Sequence, residues 1–125
     1  MPTILIVDDD EQARTALEMA ISPVFGVRIR LAADGAEALA IFLAGETRID
    51  ALVTDLSLPR MDGYQLAARV RGDPSLSRIP IVVVTADESP EVSRQLTSLG
   101  VDAIFRKPFS NSELRLKVEA LLHAR

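Results

Sequence analysis

The sequence predicts an α/β protein, a doubly wound sheet of five parallel strands with helices on both faces, forming a single domain over residues 1–125. Three observations predict it. Five short apolar runs rich in β-branched residues recur at Thr3–Val7, Val27–Ala32, Ala51–Asp55, Ile81–Thr85 and Ala103–Arg106. Each is followed by a segment with apolar residues at helical spacing. The strings "ILIV" and "IVVV" are apolar without a break, as in strands covered on both faces of a parallel sheet.

In chain order, the first strand leads to Asp10, which is placed to cap a helix whose buried stripe is Ala13, Leu17 and Ile21. The second run, "VRIRLA", alternates Arg28 and Arg30 with Val27, Ile29 and Leu31, the pattern of an edge strand guarded by charge. Asp34 then precedes Glu37 at capping-box spacing, and Ala38, Leu39 and Phe42 form the stripe. After the third strand, Asp62 and Gln65 open a helix with Leu66, Ala67 and Val70 inward. After the fourth, Ser89 caps and Pro90 takes the first turn of a helix carrying Val92, Leu96 and Leu99. After the fifth, Ser110 and Glu113 start a helix with Leu114, Val118, Leu121 and Leu122 on one face. With strand two outermost beside strand one, the strand order becomes 2-1-3-4-5, an order borrowed from known doubly wound proteins. Ligands in such sheets sit at the carboxyl ends of the strands flanking the switch point, here strands one and three.

Composition narrows the function. A chain of 125 residues can bury about two thirds of its unfolded surface in one core. Hydrophobic residues at 48% and charged residues at 26% describe a globular chain, and no apolar run approaches the roughly 18 residues of a membrane span. There is no cysteine, hence no thiol nucleophile or thiolate metal site. The start, Met-Pro-Thr, shows no basic leader before an apolar stretch, so a cytoplasmic location is expected by default. The net charge of -4 and the lack of a basic cluster with interleaved aromatics argue against direct nucleic-acid binding.

The chemistry is concentrated in acids. Asp8 and Asp9 leave strand one where Asp55 leaves strand three. An acid after a strand is ordinarily a cap or a solvated group; convergence of two strand ends is what singles these out. Two carboxylates about 4 Å apart repel by roughly 4 kcal/mol at an effective dielectric near 20, so a positive charge is expected between them. A few oxygen ligands on loops that admit water suit Mg²⁺. Calcium would want more protein oxygens. Zinc would want His or Cys, and the only histidine is His123 near the C-terminus.

The strings "ILIVDDDEQAR", "VTDLSLPRMDGYQL", "IVVVTA" and "FRKPF", in this order and spacing, resemble the receiver domain of two-component response regulators across essentially the whole chain. The resemblance implies a flavodoxin-like, CheY-like (βα)5 fold. It implies that Asp55 accepts a phosphoryl group from a sensor histidine kinase or histidine phosphotransfer protein. It implies that Asp8, Asp9 (the more direct ligand), Asp55 and the backbone carbonyl of Ser57 hold Mg²⁺. Thr85 and Lys107 fill the family's hydroxyl and lysine positions, and the Lys107–Pro108 bond is implied to be cis. Such a domain is a phosphorylation-activated switch, not an enzyme: it catalyses only its own phosphorylation and dephosphorylation.

Elementary chemistry supports these roles. A carboxylate can attack phosphorus and form an acyl phosphate. Phosphoryl transfer needs mainly positioning and neutralisation of oxygens, which a divalent cation and an ammonium supply. The Thr85 hydroxyl can donate to a phosphoryl oxygen present only after transfer, which makes it the sensor. Pro59 stiffens the loop after Asp55, and Gly63 lets the next helix start close to it.

One position departs from the family. Three residues before the lysine many receivers carry Tyr or Phe; here Ile104 stands there, with Phe105 beside it. Thr85 and Ile104 then form the switch pair, with a small, stiff β-branched side chain in place of the ring. Output is expected through the face of helix four, strand five and helix five, toward a partner or effector domain. Leu116 and Ala120 lie there off the core stripe, and a homodimer on phosphorylation stays open. A free-standing receiver and a piece of a longer regulator both stay open as well.

Two rival readings fit less well. A haloacid-dehalogenase-like phosphatase would want an aspartate two residues after the nucleophile, where Ser57 stands. A flavodoxin-like module would want a Ser/Thr/Gly-rich loop after strand one, where the chain has "DDDEQ".

Overall fold

Ile4, Leu5, Ile6 and Val7 are all fully buried, which only a strand covered on both faces achieves. The computed structural model describes residues 1–87 and 89–124. It builds five strands, β1 (Thr3–Val7), β2 (Arg28–Ala32), β3 (Ala51–Asp55), β4 (Ile81–Thr85) and β5 (Ala103–Arg106). Between and after them run α1 (Glu11–Ile21), α2 (Gly35–Ala44), α3 (Gly63–Gly72), α4 (Pro90–Ser98) and α5 (Asn111–His123). Every ladder is parallel and the order is β2-β1-β3-β4-β5, as the sequence predicts.

The period-two pleat sends alternate residues to two cores. Leu5, Val7, Leu52, Ile81 and Val83 meet Phe42 of α2, Leu66 and Val70 of α3, and Leu96 of α4. Ile4, Ile6, Val53, Val82 and Val84 meet Leu17 and Ile21 of α1 and Leu114 and Val118 of α5. Val7 lies opposite Thr54, so Asp8 and Asp55 emerge side by side, and Asp55 in turn lies opposite Val84.

Three details differ from expectation. β2 starts at Arg28 rather than Val27, because the Val27 amide turns back to the Val24 carbonyl and the Arg28 amide is the first to reach across, to Pro2. Leu31 is 37% exposed although Ile29 packs on the core, because no further strand lies outside β2. Capping-box spacing also does not always close both bonds. At Asp62 and Gln65 both form. At α2 Asp34 accepts from the Glu37 amide, but the Glu37 carboxylate accepts from Ala33, one residue upstream of the cap. At α5 the Ser110 hydroxyl accepts from the Glu113 amide, and Ser112 lies within hydrogen-bonding distance of that hydroxyl.

The end of the sheet opposite the carboxylates is tied by Arg71. Its guanidinium donates to the carbonyls of Ser77, Ile79 and Gly100 and pairs with Asp102 at 2.9 Å. The same Asp102 oxygen accepts from the Ile81 amide. Among the described residues no helix is long and apolar enough to cross a membrane.

The Asp34 carboxyl is held below its ordinary value by the Glu37 amide and then by the Arg60 side chain, against a smaller opposing push from burial. A depressed folded-state value stabilises the fold above the unfolded value near 3.8 and loses that contribution as pH falls through the folded value. Replacing Asp34 by Asn, which keeps the cap, is therefore expected to lower thermal stability at neutral pH. The gap to wild type should narrow below pH about 4 in a melting series.

Candidate functional site

Three carboxylates meet at the tips of β1 and β3. Asp8, Asp9 and Asp55 each offer one oxygen, and these lie within 4.8 Å of one another. Their exposures differ: Asp8 is buried, Asp55 half-buried and Asp9 exposed. The charge expected between them comes from the chain itself. Lys107 Nζ, carried on the loop after β5, donates to Asp8 at 3.1 Å and lies 3.4 Å from Asp55.

Local structure fixes each group. Asp8 accepts from the Asp10 amide through Oδ1, while its carbonyl accepts from the Arg14 guanidinium at 2.9 Å. Asp55 accepts from the Leu56 amide at 2.7 Å, and the Thr54 hydroxyl donates to the Asp55 carbonyl. α3 begins directly beneath, where a Cβ on Gly63 would stand 2.7 Å from the Asp55 carbonyl oxygen. Only glycine fits there. The cation of Lys107 is delivered by a backbone bond from its amide to the Thr85 carbonyl, followed by the cis bond to Pro108.

Burial raises the Asp55 carboxyl above its ordinary value; Lys107 pulls it down, and the charge of Asp8 adds to the rise. Burial also works against the Lys107 ammonium, yet Asp55 and Asp8 outweigh it and hold its value above the ordinary one. The two shifts are consistent because one ammonium serves two carboxylates. Lys107 gains from both, whereas Asp55 receives only a share.

Thr85 is buried at the tip of β4, and its hydroxyl oxygen accepts from the Asp87 amide at 3.0 Å. Its proton remains available to donate. Ser57 is exposed in the loop after Asp55 and lines a depression with Asp9, Pro59, Asp62, Tyr64 and Asp87. Ile104 is not part of the cluster. It sits in β5 opposite Val83, 37% exposed, while Phe105 turns to the other face and packs on the α1 and α5 core.

Sequence reasoning passed over three groups. Arg14 could have been noticed, one helical turn beyond Asp10 on α1. The Asp87 amide carries no side-chain signal. The ion pair of Arg60 with Asp34 joins residues 26 apart on two loops and leaves no pattern in the sequence.

The family model of the response regulator receiver domain matches residues 4–119. The chain belongs to that family. It is 40% identical over 121 residues to response regulator MprA of Mycobacterium tuberculosis H37Rv, covering 95% of this chain and 50% of that protein. The chain thus spans about half the length of the curated relatives it matches. A protein of Chloroflexus aurantiacus solved as a candidate response regulator superposes with a TM-score of 0.89 at 36% identity over the whole of both chains. The chemotaxis response regulator CheY4 of Vibrio cholerae gives 0.84 at 29% identity, covering 97% of this chain and 98% of that one. The chain is therefore a receiver domain of the two-component type, a family of phosphoacceptor signalling domains.

Because burial makes the charged form of Asp55 costly in the fold, the receiver is less stable with that carboxylate ionised. A raised folded-state value gives stability below the unfolded value near 3.8 and withdraws it as pH rises through the folded value. Asp55→Asn is expected to raise the melting temperature in chelator at neutral pH. The difference from wild type should shrink toward pH 4 when both are followed by circular dichroism.

Proposed function

We propose that Asp55 is the phosphoacceptor of this receiver, taking a phosphoryl group from a phosphohistidine in a Mg²⁺-dependent reaction. The observation that carries the reading is the placement of Lys107 between Asp8 and Asp55. The donor set fits the cation: carboxylate oxygens of Asp8, Asp9 and Asp55, joined by the Ser57 carbonyl, are hard ligands on a rim open to water. When bound, Mg²⁺ neutralises the phosphoryl oxygens and the crowded carboxylates.

The chain's own groups do the rest. An Asp55 oxygen forms the bond to phosphorus as the P–N bond to the donor histidine breaks, and the imidazole keeps the electron pair and takes a proton. The two acids beside Asp55 ensure that an incoming phosphoryl group is repelled unless a cation is present. Lys107 leaves its shared position to pair with a phosphoryl oxygen, and the Thr85 hydroxyl donates to another. Thr85 thereby registers the modification, and Ile104 on β5 is the second residue of the switch. Hydrolysis of the acyl phosphate at the same site resets it.

Residues 1–125 act as one receiver domain in the cytoplasm. The altered surface is that of α4, β5 and α5, where Leu116 is 60% exposed and ready to meet an output partner, an effector domain or a second copy. Phosphorylation shifts an existing equilibrium toward the output-competent form.

Intact-mass spectrometry with acetyl phosphate tests the reading. One phosphoryl adduct is expected with Mg²⁺, none in chelator and none in Asp55→Asn. Lys107→Ala should reduce the adduct strongly, by about a hundredfold in rate. An adduct of equal yield in Asp55→Asn removes Asp55 from the role.

A further inference from the structure

Among the described residues Arg60 is the one non-glycine residue with a left-handed backbone, φ 67°. Any residue with a Cβ is sterically disfavoured there, and glycine would avoid the conflict. A side chain retained against that preference is expected to be in use. The Arg60 guanidinium donates to Asp34 across the gap between the loop after β3 and the start of α2.

Asp34 is a firm anchor. Its side chain is 5% exposed, and its other oxygen caps α2 through the Glu37 amide at 2.8 Å. The two backbones are also in contact, since a Cβ on Gly35 would collide with the Met61 carbonyl. The loop itself is closed by bonds from the Gly63 amide to the Leu56 carbonyl and from Met61 to Pro59. These bonds define its shape, and the Arg60 pair and the Met61 contact join that shape to the start of α2. The Arg60 side chain is 73% exposed, so a pair of this kind contributes little to global stability. Its use is positional.

We propose that Arg60 is a positioning residue for the cation site: by gripping Asp34 it sets the loop of residues 56–62 and, with it, the Ser57 carbonyl at the distance a small divalent cation demands. The inference rests on the reading of Ser57 as a metal contact. Mg²⁺ tolerates little departure from its short, octahedral coordination, so a loop free to drift loses affinity.

The two partners permit a clean test, because each can be changed with its local backbone kept. Arg60→Gly suits the left-handed backbone, and Asp34→Asn remains a good cap. The charges they remove have opposite signs. Long-range electrostatics alone would make Arg60→Gly bind Mg²⁺ more tightly and Asp34→Asn less tightly; loss of positioning weakens both.

The experiment is isothermal titration of the unphosphorylated receiver with Mg²⁺, alongside melting in chelator. Each single variant is expected to bind about five- to tenfold more weakly. The double variant should be no weaker than the worse single, Arg60→Lys should fall between, and the melting temperature of Arg60→Gly should move only slightly, so that its weaker binding is not a loss of fold. Wild-type affinity in Arg60→Gly, tighter binding in it, or losses that multiply in the double variant overturn the inference while leaving the cation site standing. A wild-type receiver that binds no Mg²⁺ brings down the cation site and this inference together.

Discussion

The ammonium of Lys107, shared between Asp8 and Asp55, is the interaction around which this end of the molecule is organised. Asp8 is almost fully buried, and a buried carboxylate without a partner is costly enough that proteins avoid it. Lys107 supplies the compensation from a loop some hundred positions along the chain. That contact depends on sheet order: β1 and β3 must be neighbours for the two acids to meet, and β4 and β5 must follow for the lysine to arrive from the far side. The electrostatics of the site are thus a consequence of the winding of the whole chain.

Several neighbours serve that arrangement without entering the chemistry. Arg14 fixes the Asp8 carbonyl, the Leu56 amide orients one oxygen of Asp55, and Gly63 allows α3 to begin almost on top of it. The burial of β1, β3 and β4 on both faces makes this possible, because strands held on both faces leave their tips little freedom. Rigid scaffold and crowded carboxylate rim are two outcomes of one hydrophobic pattern.

Much of this was legible in the amino-acid order. The strands show as runs of Ile, Val and Leu, and the helix starts show in Asp10, Asp34, Asp62, Ser89 and Ser110, each of which caps as expected. The edge position of β2 shows in its alternating arginines. What the order conceals is contact between loops. Nothing in the spacing of residues 34 and 60 tells of an ion pair, since loop meets loop only after both neighbouring helices have docked. The route of the Glu37 side chain past its own cap to Ala33 is equally hidden, because it depends on a rotamer rather than a pattern. The identity of the chemical groups was readable; their local geometry required coordinates.

The grip of Arg71 has a mechanical meaning. It fastens the last turn of α3 to the carbonyl of Gly100, just past the foot of α4, and to Asp102 at the entry to β5. The foot of α4 is therefore bolted to α3 and to the entry of β5, whereas its head is linked to Thr85 through the Asp87 amide on the Thr85 hydroxyl and the Ser89 amide on the Asp87 carboxylate. Helix α4 is thus anchored at one end and, at the other, strung by two short bonds to the buried hydroxyl that stands at the rim of the carboxylates.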